Sequence, residues 1–382
     1  MDAYFAFGTY HFFNAVNLKI CEYKKEPAIL FMTNTFRNAE LYYERAKASQ
    51  LFEHVVWIEN VESFWTLPFK KASPKNKAWH LFLFLQRIYY RYFPTVKFYE
   101  HIPFMQSKFR RVFMGGRLDY LEPFILYQKK HGGVFIVFDA GLSSRCLDYL
   151  TMTAKDKILY FFGIHFDAMA SFYYSYNPDM IISKTHKPIK KQVNPLNFSE
   201  DEKQTIFQAY GLDPESEIAA PYPAIYFTSS ATLSDAVAKQ IDWALEHISA
   251  HFAPNTIAVQ LHPALQAYDI ALPVYQNDLP FEMDCLLWNM DQIILISTVS
   301  AVMFNLKHIY DKEPYLIFLY HLSDIDLNSC LCVSTEEYDE LVDELLVQYY
   351  RNSEKIMRPK NQEELSAMLH LALTQTGAAV HV

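Results

Sequence analysis

The chain has 382 residues, of which 51% are hydrophobic, so it is long enough for two domains with buried cores. Asp and Glu outnumber Lys and Arg by 43 to 34, and the net charge of −9 argues against a nucleic-acid-binding protein, which needs a basic surface. Only 9 residues are glycine, which argues against collagen-like, solenoid and glycine-fingerprint dinucleotide-binding folds.

The five cysteines are scattered along the chain, which predicts neither a disulfide framework nor a zinc site and favours a reducing compartment. The first residues lack the basic segment of a signal peptide, and no apolar run reaches the roughly 18 residues that span a bilayer. We therefore expect a cytoplasmic protein.

Short apolar strands alternate with amphipathic helices in the first part of the chain, which is typical of a parallel sheet covered on both faces. The predicted strands are residues 4–10, 28–32, 54–58, 96–98, 111–114 and 134–138, and the predicted helices are residues 12–18 and 38–49. After residue 139 the pattern loosens. Residues 158–176 are aromatic and irregular, and residues 183–195 are predicted to form a polar connector.

A second alternating unit follows this connector. A helix is predicted from an N-cap at Ser199 to Gly211, with Glu202 at its third position completing a capping box. Further strands are predicted at 224–228, 256–261, 291–296 and 314–319, and helices at 234–251, 286–289, 299–306, 336–351 and 362–373. The sequence thus predicts two Rossmann-like α/β domains, residues 1–195 and 196–382, that face a central cleft, with helices at the C-terminal end.

Chemistry-bearing residues stand at the ends of predicted strands, where ligands of open α/β sheets bind. Asp139 directly follows a buried strand and precedes Gly141 and Ser143, so a carboxylate could stand at the cleft mouth, although a turn role would explain it as well. His262 ends another strand, and Pro263 fixes the backbone after it. An imidazole there can donate to a phosphate oxygen, act as a general acid or be structural.

Two more features follow along the chain. Glu282 begins a predicted helix, where it can accept from a ribose hydroxyl or simply complement the helix dipole. Ser297, Thr298 and Ser300 form a hydroxyl-rich turn between a strand and a helix, which suits an anion but is also explained by capping. Each signal is weak, whereas their order and spacing together are specific.

These motifs in this order resemble the bacterial lipooligosaccharide sialyltransferases and their polysialyltransferase relatives. The opening segment, Thr9 to His11 before a helix, is also similar to the start of those enzymes. The resemblance covers residues 4–320 and is most specific at His262-Pro263, Glu282 and Ser297-Thr298.

The resemblance implies a GT-B glycosyltransferase that moves sialic acid, or a related nonulosonic acid, from a CMP-activated donor to a bacterial surface glycan. Inversion at the anomeric carbon is expected, with no metal and no cofactor. His262, beside Pro263, would contact the CMP phosphate and act as the acid for the leaving group, and Glu282 would hold the ribose. Ser297 and Thr298 would bind the phosphate, with Ser300 as a third donor.

On the acceptor side, the family motif usually has two successive acids before glycine, and the second acid is the expected base. This chain has Asp139-Ala140-Gly141, and alanine cannot accept a proton. Either Asp139 serves as the base, or an acid at position 140 has been replaced in an inactive variant. We favour the second because the surrounding motif is whole, and it predicts that Ala140→Asp or Ala140→Glu raises transferase activity.

The N-terminal half is expected to bind the acceptor, a glycan carried on a lipid in lipooligosaccharide or capsule, through Thr9, His11, Gly141 and Ser143. Residues 87–117 interleave basic and aromatic side chains, which could lie on an anionic membrane or form a core with snorkelling cations. Residues 184–191 are lysine-rich and form either a solvated linker or an attractant for the anionic donor.

Two other interpretations remain open at this point. A related GT-B enzyme could use a different nucleotide sugar with the same motif. Alternatively, the protein could bind a nucleotide sugar but have lost catalysis, an interpretation that Ala140 supports.

Overall fold

A computed structural model gives the fold. It describes residues 1–59, 85–86, 88–115, 121–139, 141, 154–164, 166–181, 188–212, 220–228, 235–262, 270–275, 279–322, 327 and 334–377. These residues form two parallel β-sheets with helices packed against them.

The first sheet has seven strands in the order β3-β2-β1-β4-β5-β6-β7, and neighbouring strands are parallel. The strands are β1 (Asp2–Ala6), β2 (Ala28–Thr33), β3 (His54–Ile58), β4 (Arg111–Gly115), β5 (Val134–Phe138), β6 (Phe172–Ser175) and β7 (Ile189–Lys191). The helices of this half are α1 (Thr9–Cys21), α2 (Ala39–Ala48), α3 (Glu122–Lys130), α4 (Ala154–Phe161) and α5 (Phe166–Met169).

The second sheet has five parallel strands in the order β12-β11-β10-β8-β9. The strands are β8 (Ala224–Phe227), β9 (Ile257–Gln260), β10 (Ile294–Ser297), β11 (Tyr315–Phe318) and β12 (Ile356–Met357). The remaining helices are α6 (Glu200–Ala209), α7 (Asp235–Ser249), α8 (Phe281–Leu287), α9 (Val302–Tyr310), α10 (Thr335–Val342) and α11 (Gln362–Thr376). A π-helical turn covers Asp343–Val347, and 3₁₀ turns cover Lys97–Tyr99, Pro178–Met180, Pro195–Asn197, Met290–Gln292 and Ser353–Lys355.

The central strands are apolar because helices cover both faces of the sheet. β1 and β2 are buried along their whole length, as parallel strands between two helical layers must be. Asp2 is the polar residue of β1, and its carboxylate is paired with the Arg111 guanidinium of β4 at 2.6 Å. One continuous cluster of buried hydrophobic side chains runs from α1 into the second domain, so the two domains share an apolar interface.

The predicted GT-B architecture, two Rossmann-like domains around a cleft with helices at the C-terminal end, is confirmed by the two sheets. The predicted capping box of α6 is also present, because Ser199 and Glu202 exchange side-chain-to-backbone hydrogen bonds. The sheets divide between β7 and β8, while α6 packs on α1 and α2 of the first domain. The exact boundary at residue 195 stays a prediction.

The predicted strand at residues 96–98 is wrong, because Lys97–Tyr99 form a 3₁₀ turn. The buried side chains there are Val96, Tyr99, Ile102 and Met105. This spacing of three residues suits successive tight turns, whereas a half-buried strand would alternate every second residue.

Residues 158–176 and 183–195 are more regular than predicted. The first segment contains the end of α4, all of α5 and the strand β6, and the second contains β7. β6 is an aromatic strand without the aliphatic run that marks its neighbours. β7 lies at the sheet edge and exposes Lys190 and Lys191, so its sequence looks like that of a linker.

The first predicted strand also runs too far, because β1 ends at Ala6 and α1 begins at Thr9. Within the described residues, no helix combines the length and the apolar character needed to cross a membrane.

Candidate functional site

A cleft of about 350 Å³ lies between the carboxyl ends of the two sheets. The first domain contributes Thr9, Tyr10, Arg37, Asn38, Tyr42 and Gly141 to its walls. The second domain contributes Phe227, Thr228, Gln260, Leu261, His262, Leu279, Pro280, Phe281, Glu282, Val299, Ser300, Ala301, Val302, Asn305 and Tyr338.

The strand order explains why the cleft forms here. In the first sheet the chain leaves β1 toward β2 on one side and later returns to β4 on the other. In the second sheet it leaves β8 toward β9 and returns to β10. Loops that depart in opposite directions leave a crevice at such a switch point, which is where open α/β sheets bind ligands.

His262 lies at the cleft, two residues after β9. Its backbone N–H donates to Thr228 Oγ1 at 2.7 Å, which joins the loops after β9 and β8. Partial burial lowers the pKa of His262, because desolvation disfavours the imidazolium. A phosphate bound beside the ring would oppose that shift by favouring the charged form. The neighbouring Pro263 lies outside the described residues.

Glu282 lies in the first turn of α8 and lines the cleft. Asn305 Nδ2 on α9 donates to its Oε1 at 2.8 Å, and the Tyr310 hydroxyl donates to its backbone carbonyl. Lys312 Nζ donates at 2.9 Å to two carbonyls near the end of α8. The Asn305 bond orients the carboxylate, and the other bonds hold the backbone of α8 and the residue after it.

The hydroxyl-rich turn after β10 lies partly in the protein interior and partly at the cleft. Ser297 is fully buried, and its hydroxyl donates to the Phe227 carbonyl of β8 at 2.9 Å. Thr298 is fully buried as well. Ser300 lines the cleft, just before α9 begins at Val302. Of the three predicted phosphate ligands, only Ser300 therefore belongs to the cleft wall.

The residues predicted to bind the acceptor are also divided. Thr9 and Gly141 line the cleft, whereas His11 packs against the Phe138 ring and against Gly115. A Cβ at Gly115 would lie 2.9 Å from the His11 ring, so glycine permits this close approach. Burial lowers the pKa of His11 to about 4, and the charge of Asp139 opposes that shift. Ala140 and Ser143 lie outside the described residues.

Asp139 is only 2% exposed. Its Oδ2 lies 2.7 Å from His308 Nε2 on α9, so the pair joins the two domains. Its Oδ1 accepts from the Gly141 N–H at 2.7 Å, and Asn14 Nδ2 donates to its backbone carbonyl at 3.0 Å. Both carboxylate oxygens therefore contact other groups of the protein.

Besides tyrosines, sequence reasoning missed five polar residues of the cleft, namely Arg37, Asn38, Thr228, Gln260 and Asn305. Gln260 Oε1 is buried and has no hydrogen-bond partner within the described residues. Gln260 and Thr228 could have been found, because they stand at the carboxyl ends of β9 and β8. Arg37 and Asn305 carry no such signal in the sequence.

The aromatic and basic stretch at residues 87–117 contains both buried and exposed aromatic side chains. Tyr90 and Tyr99 are buried in the core on one face of the first sheet. Tyr89, Tyr92 and Phe93 are exposed. Of the lysine-rich residues 184–191, residues 184–187 lie outside the described part of the chain.

In the part of the chain that the structure describes, no group of three or more His, Cys, Asp or Glu side chains could hold a metal ion. Metal independence itself stays a prediction.

No protein-family model matches the chain, and no curated protein sequence matches it. Solved structures give similarities over nearly the whole chain at low identity. Arabidopsis thaliana UGT89C1 complexed with UDP is 11% identical with a TM-score of 0.45, covering 97% of this chain and 90% of that one. UDP-GlcNAc 2-epimerase from Methanocaldococcus jannaschii is 11% identical with a TM-score of 0.40, covering 97% and 100%. Acinetobacter baumannii MurG is 9% identical with a TM-score of 0.39, covering 98% and 94%.

Proposed function

We propose that this protein is an inverting, metal-independent glycosyltransferase that moves a nonulosonic acid from a CMP-activated donor to a glycan. One observation carries the proposal. His262, Glu282 and Ser300, which the sequence motif joins over some 40 residues, line the same cleft at the switch point of the second sheet. Sialic acid is the expected sugar, on the strength of the motif.

The second-domain wall carries groups that can stabilise CMP as the leaving group. Negative charge develops on the phosphate as the bond to the sugar breaks, and preorganised donors stabilise it. Ser300, the first turn of α9 and the imidazole of His262 are the proposed donors. Glu282, oriented by Asn305, is proposed to accept from the ribose hydroxyls.

The acceptor hydroxyl must lose a proton to a base on the first-domain wall. Asp139 is a poor base, because both of its carboxylate oxygens already contact His308 and the Gly141 N–H. This arrangement supports the interpretation that position 140 carries the base in the active enzyme and that Ala140 makes this chain an inactive variant. Thr9 and Gly141 are the proposed acceptor contacts on this wall.

The proposed acceptor is carried on a lipid, and the first domain exposes a surface that suits a membrane. Tyr92 and Phe93 are 60% and 61% exposed, and Phe161 is 84% exposed. Arg91 Nε donates to the Phe162 carbonyl, which brings the two aromatic segments together around a cation. Aromatic and basic side chains in one patch are typical of binding at the surface of an anionic bilayer.

Vesicle flotation tests this membrane contact. We expect the protein to bind vesicles with phosphatidylglycerol more than pure phosphatidylcholine vesicles, and a variant with Tyr92→Ser, Phe93→Ser and Phe161→Ser to lose that binding. The control is Leu371→Ser, which changes an exposed apolar residue of the second domain. Equal flotation of all three proteins would refute membrane contact through this patch.

Thermal shift with CMP, CDP, UMP and UDP tests the donor class. A nucleotide at 100 times its Kd stabilises a protein by about 2.7 kcal/mol, so CMP should raise the Tm measurably. We expect this shift to vanish in His262→Ala and to persist in His251→Ala, whose histidine lies before β9 and away from the cleft. A preference for UDP would instead support a transferase for a different nucleotide sugar. No response to any nucleotide would contradict the proposal.

A further inference from the structure

Arg37 is a cation on the first-domain wall of the cleft. Among the described residues that line the cleft it is the sole Lys or Arg, and it makes no ion pair within the described chain. Glu282 is the one described acid of the lining, and it lies on the opposite wall with its Oε1 bonded to Asn305. Arg37 is partly buried, and no acid among the described residues forms an ion pair with it.

The loop that carries Arg37 is held in place on both sides. Thr35 Oγ1 donates to the Phe7 carbonyl at the end of β1 at 3.1 Å, and the Phe36 side chain is buried in the core. Asn38 then adopts a left-handed conformation, with φ at 58°, before α2 begins. These contacts hold the backbone on both sides of Arg37, which places this residue at the cleft wall.

We infer that Arg37 binds the carboxylate of the transferred sugar. This inference rests on the proposed function, because the proposed nonulosonic acid donor is what brings such a group to the cleft. Nonulosonic acids carry a carboxylate on the carbon that is bonded to the CMP phosphate, whereas the sugars of UDP-hexoses are uncharged. With CMP on the second-domain wall, the sugar extends toward the first-domain wall, where Arg37 lies. A guanidinium binds a carboxylate through two parallel hydrogen bonds.

Arg37 would therefore select the donor sugar and leave nucleotide binding to the second domain. Calorimetric titration separates these two roles. The ligands are CMP, the non-hydrolysable 3-fluoro analogue of CMP-N-acetylneuraminate, and UDP-N-acetylglucosamine. In Arg37→Gln we expect affinity for the fluorinated donor to fall by about 10- to 100-fold, the range for loss of a hydrogen-bonded charge, while CMP affinity changes by less than about twofold.

Two variants control this experiment. Arg37→Lys keeps the charge but loses the bidentate geometry, so its affinity should be intermediate. Lys47→Gln removes an exposed cation from α2 that pairs with Glu44, and it should change neither affinity.

The possible outcomes distinguish the two proposals. An equal loss of affinity for CMP and for the fluorinated donor would mean that Arg37 contacts the phosphate. That result would overturn this inference but not the proposed function. Unchanged affinity for the fluorinated donor in Arg37→Gln would also overturn it. A native chain that binds UDP-N-acetylglucosamine but neither CMP ligand would overturn the proposed function and the inference together.

Discussion

The two walls of the cleft come from the same type of sheet edge but differ in how their polar groups are used. In the first domain, Asp139 is bonded to His308 and Gly141, and His11 is packed against Phe138, so neither residue lines the cleft. On the second-domain wall, His262 and Ser300 line the cleft. Asp139 of the first domain is used to join the domains, whereas His262 and Ser300 of the second domain are placed at the cleft.

This difference shows why position at a strand end does not by itself identify a functional residue. Asp139 and His262 both follow strands of parallel sheets, and the sequence made both of them candidates for the catalytic site. The neighbouring domain decides between them, because α9 covers Asp139 with His308 and leaves His262 at the cleft. Four measurements would break or sharpen this comparison.

The largest expected effect concerns the pair that joins the domains. His308→Leu would leave the buried Asp139 carboxylate without this donor, and we expect the free energy of unfolding to fall by about 3–5 kcal/mol. Urea denaturation measures it. The control is His321→Leu, which breaks a more exposed pair with Asp339 at 3.2 Å and should cost about 0–1 kcal/mol. Equal costs would mean that the Asp139–His308 pair has no special structural role.

His11, on α1 of the first domain, makes the stability of the protein depend on pH. Its pKa in the folded protein is about 4, below the ordinary value of 6.5, so below pH 6.5 the unfolded chain binds a proton that the folded chain does not. Stability from this group is therefore complete above pH 6.5 and falls as the pH drops toward 4, by roughly 3 kcal/mol in all. Urea denaturation at several pH values should show a shallower loss in His11→Gln than in the exposed control His370→Gln. Parallel curves would contradict a His11 that stays neutral in the folded protein.

Glu282 tests whether the second wall binds the ribose. We expect the native chain to bind CMP more tightly than 2′,3′-dideoxy-CMP, and Glu282→Gln to lose about 10- to 100-fold in CMP affinity, because hydrogen bonds to a charged group are lost. Asn305→Leu should show a smaller loss, since Asn305 acts by orienting Glu282. The exposed Glu246→Gln is the control. If Glu282→Gln still prefers CMP over the dideoxy ligand, Glu282 does not hold the ribose.

The smallest effect concerns the protonation of His262. Burial lowers its pKa, so the ring is mainly neutral near pH 7.5, and a bound phosphate should restore the charge. Calorimetry in buffers of different ionisation enthalpy should therefore detect uptake of a fraction of a proton with CMP, and affinity should rise severalfold between pH 8 and 6.5. Both effects should disappear in His262→Gln. A binding reaction without proton uptake would mean that the ring stays neutral beside the phosphate.

Much of the fold could be predicted from local sequence patterns. The bounds of β3 and β5 and the capping box of α6 follow from residues close together in the chain. β6 and β7 could not be predicted, because an aromatic strand and a lysine-bearing edge strand lack the usual apolar pattern. They form strands because they pair with neighbouring strands of the sheet, β6 with β5 and β7 with β6.

The site was predicted less completely, for the same reason. The motif placed His262, Glu282 and Ser300, all at strand or helix ends. The other features of the site depend on contacts between residues far apart in the chain. Asn305 and Arg37 have no signal of their own, and the burial of Ser297 follows from its bond to the Phe227 carbonyl of a neighbouring strand.

A transferase assay of the Ala140→Asp variant tests most directly the claim that this protein is a CMP-dependent glycosyltransferase. The assay supplies CMP-N-acetylneuraminate with a panel of glycan acceptors that differ in their terminal sugar, and it follows sialylated product. UDP-N-acetylglucosamine is the competing donor, and Ser199→Ala is a control outside the cleft. We predict that Ala140→Asp exceeds the present chain by about 100-fold or more, the range of general-base catalysis, and that adding His262→Ala abolishes the gain. Transfer from the UDP donor alone, or no gain in Ala140→Asp, would contradict the account.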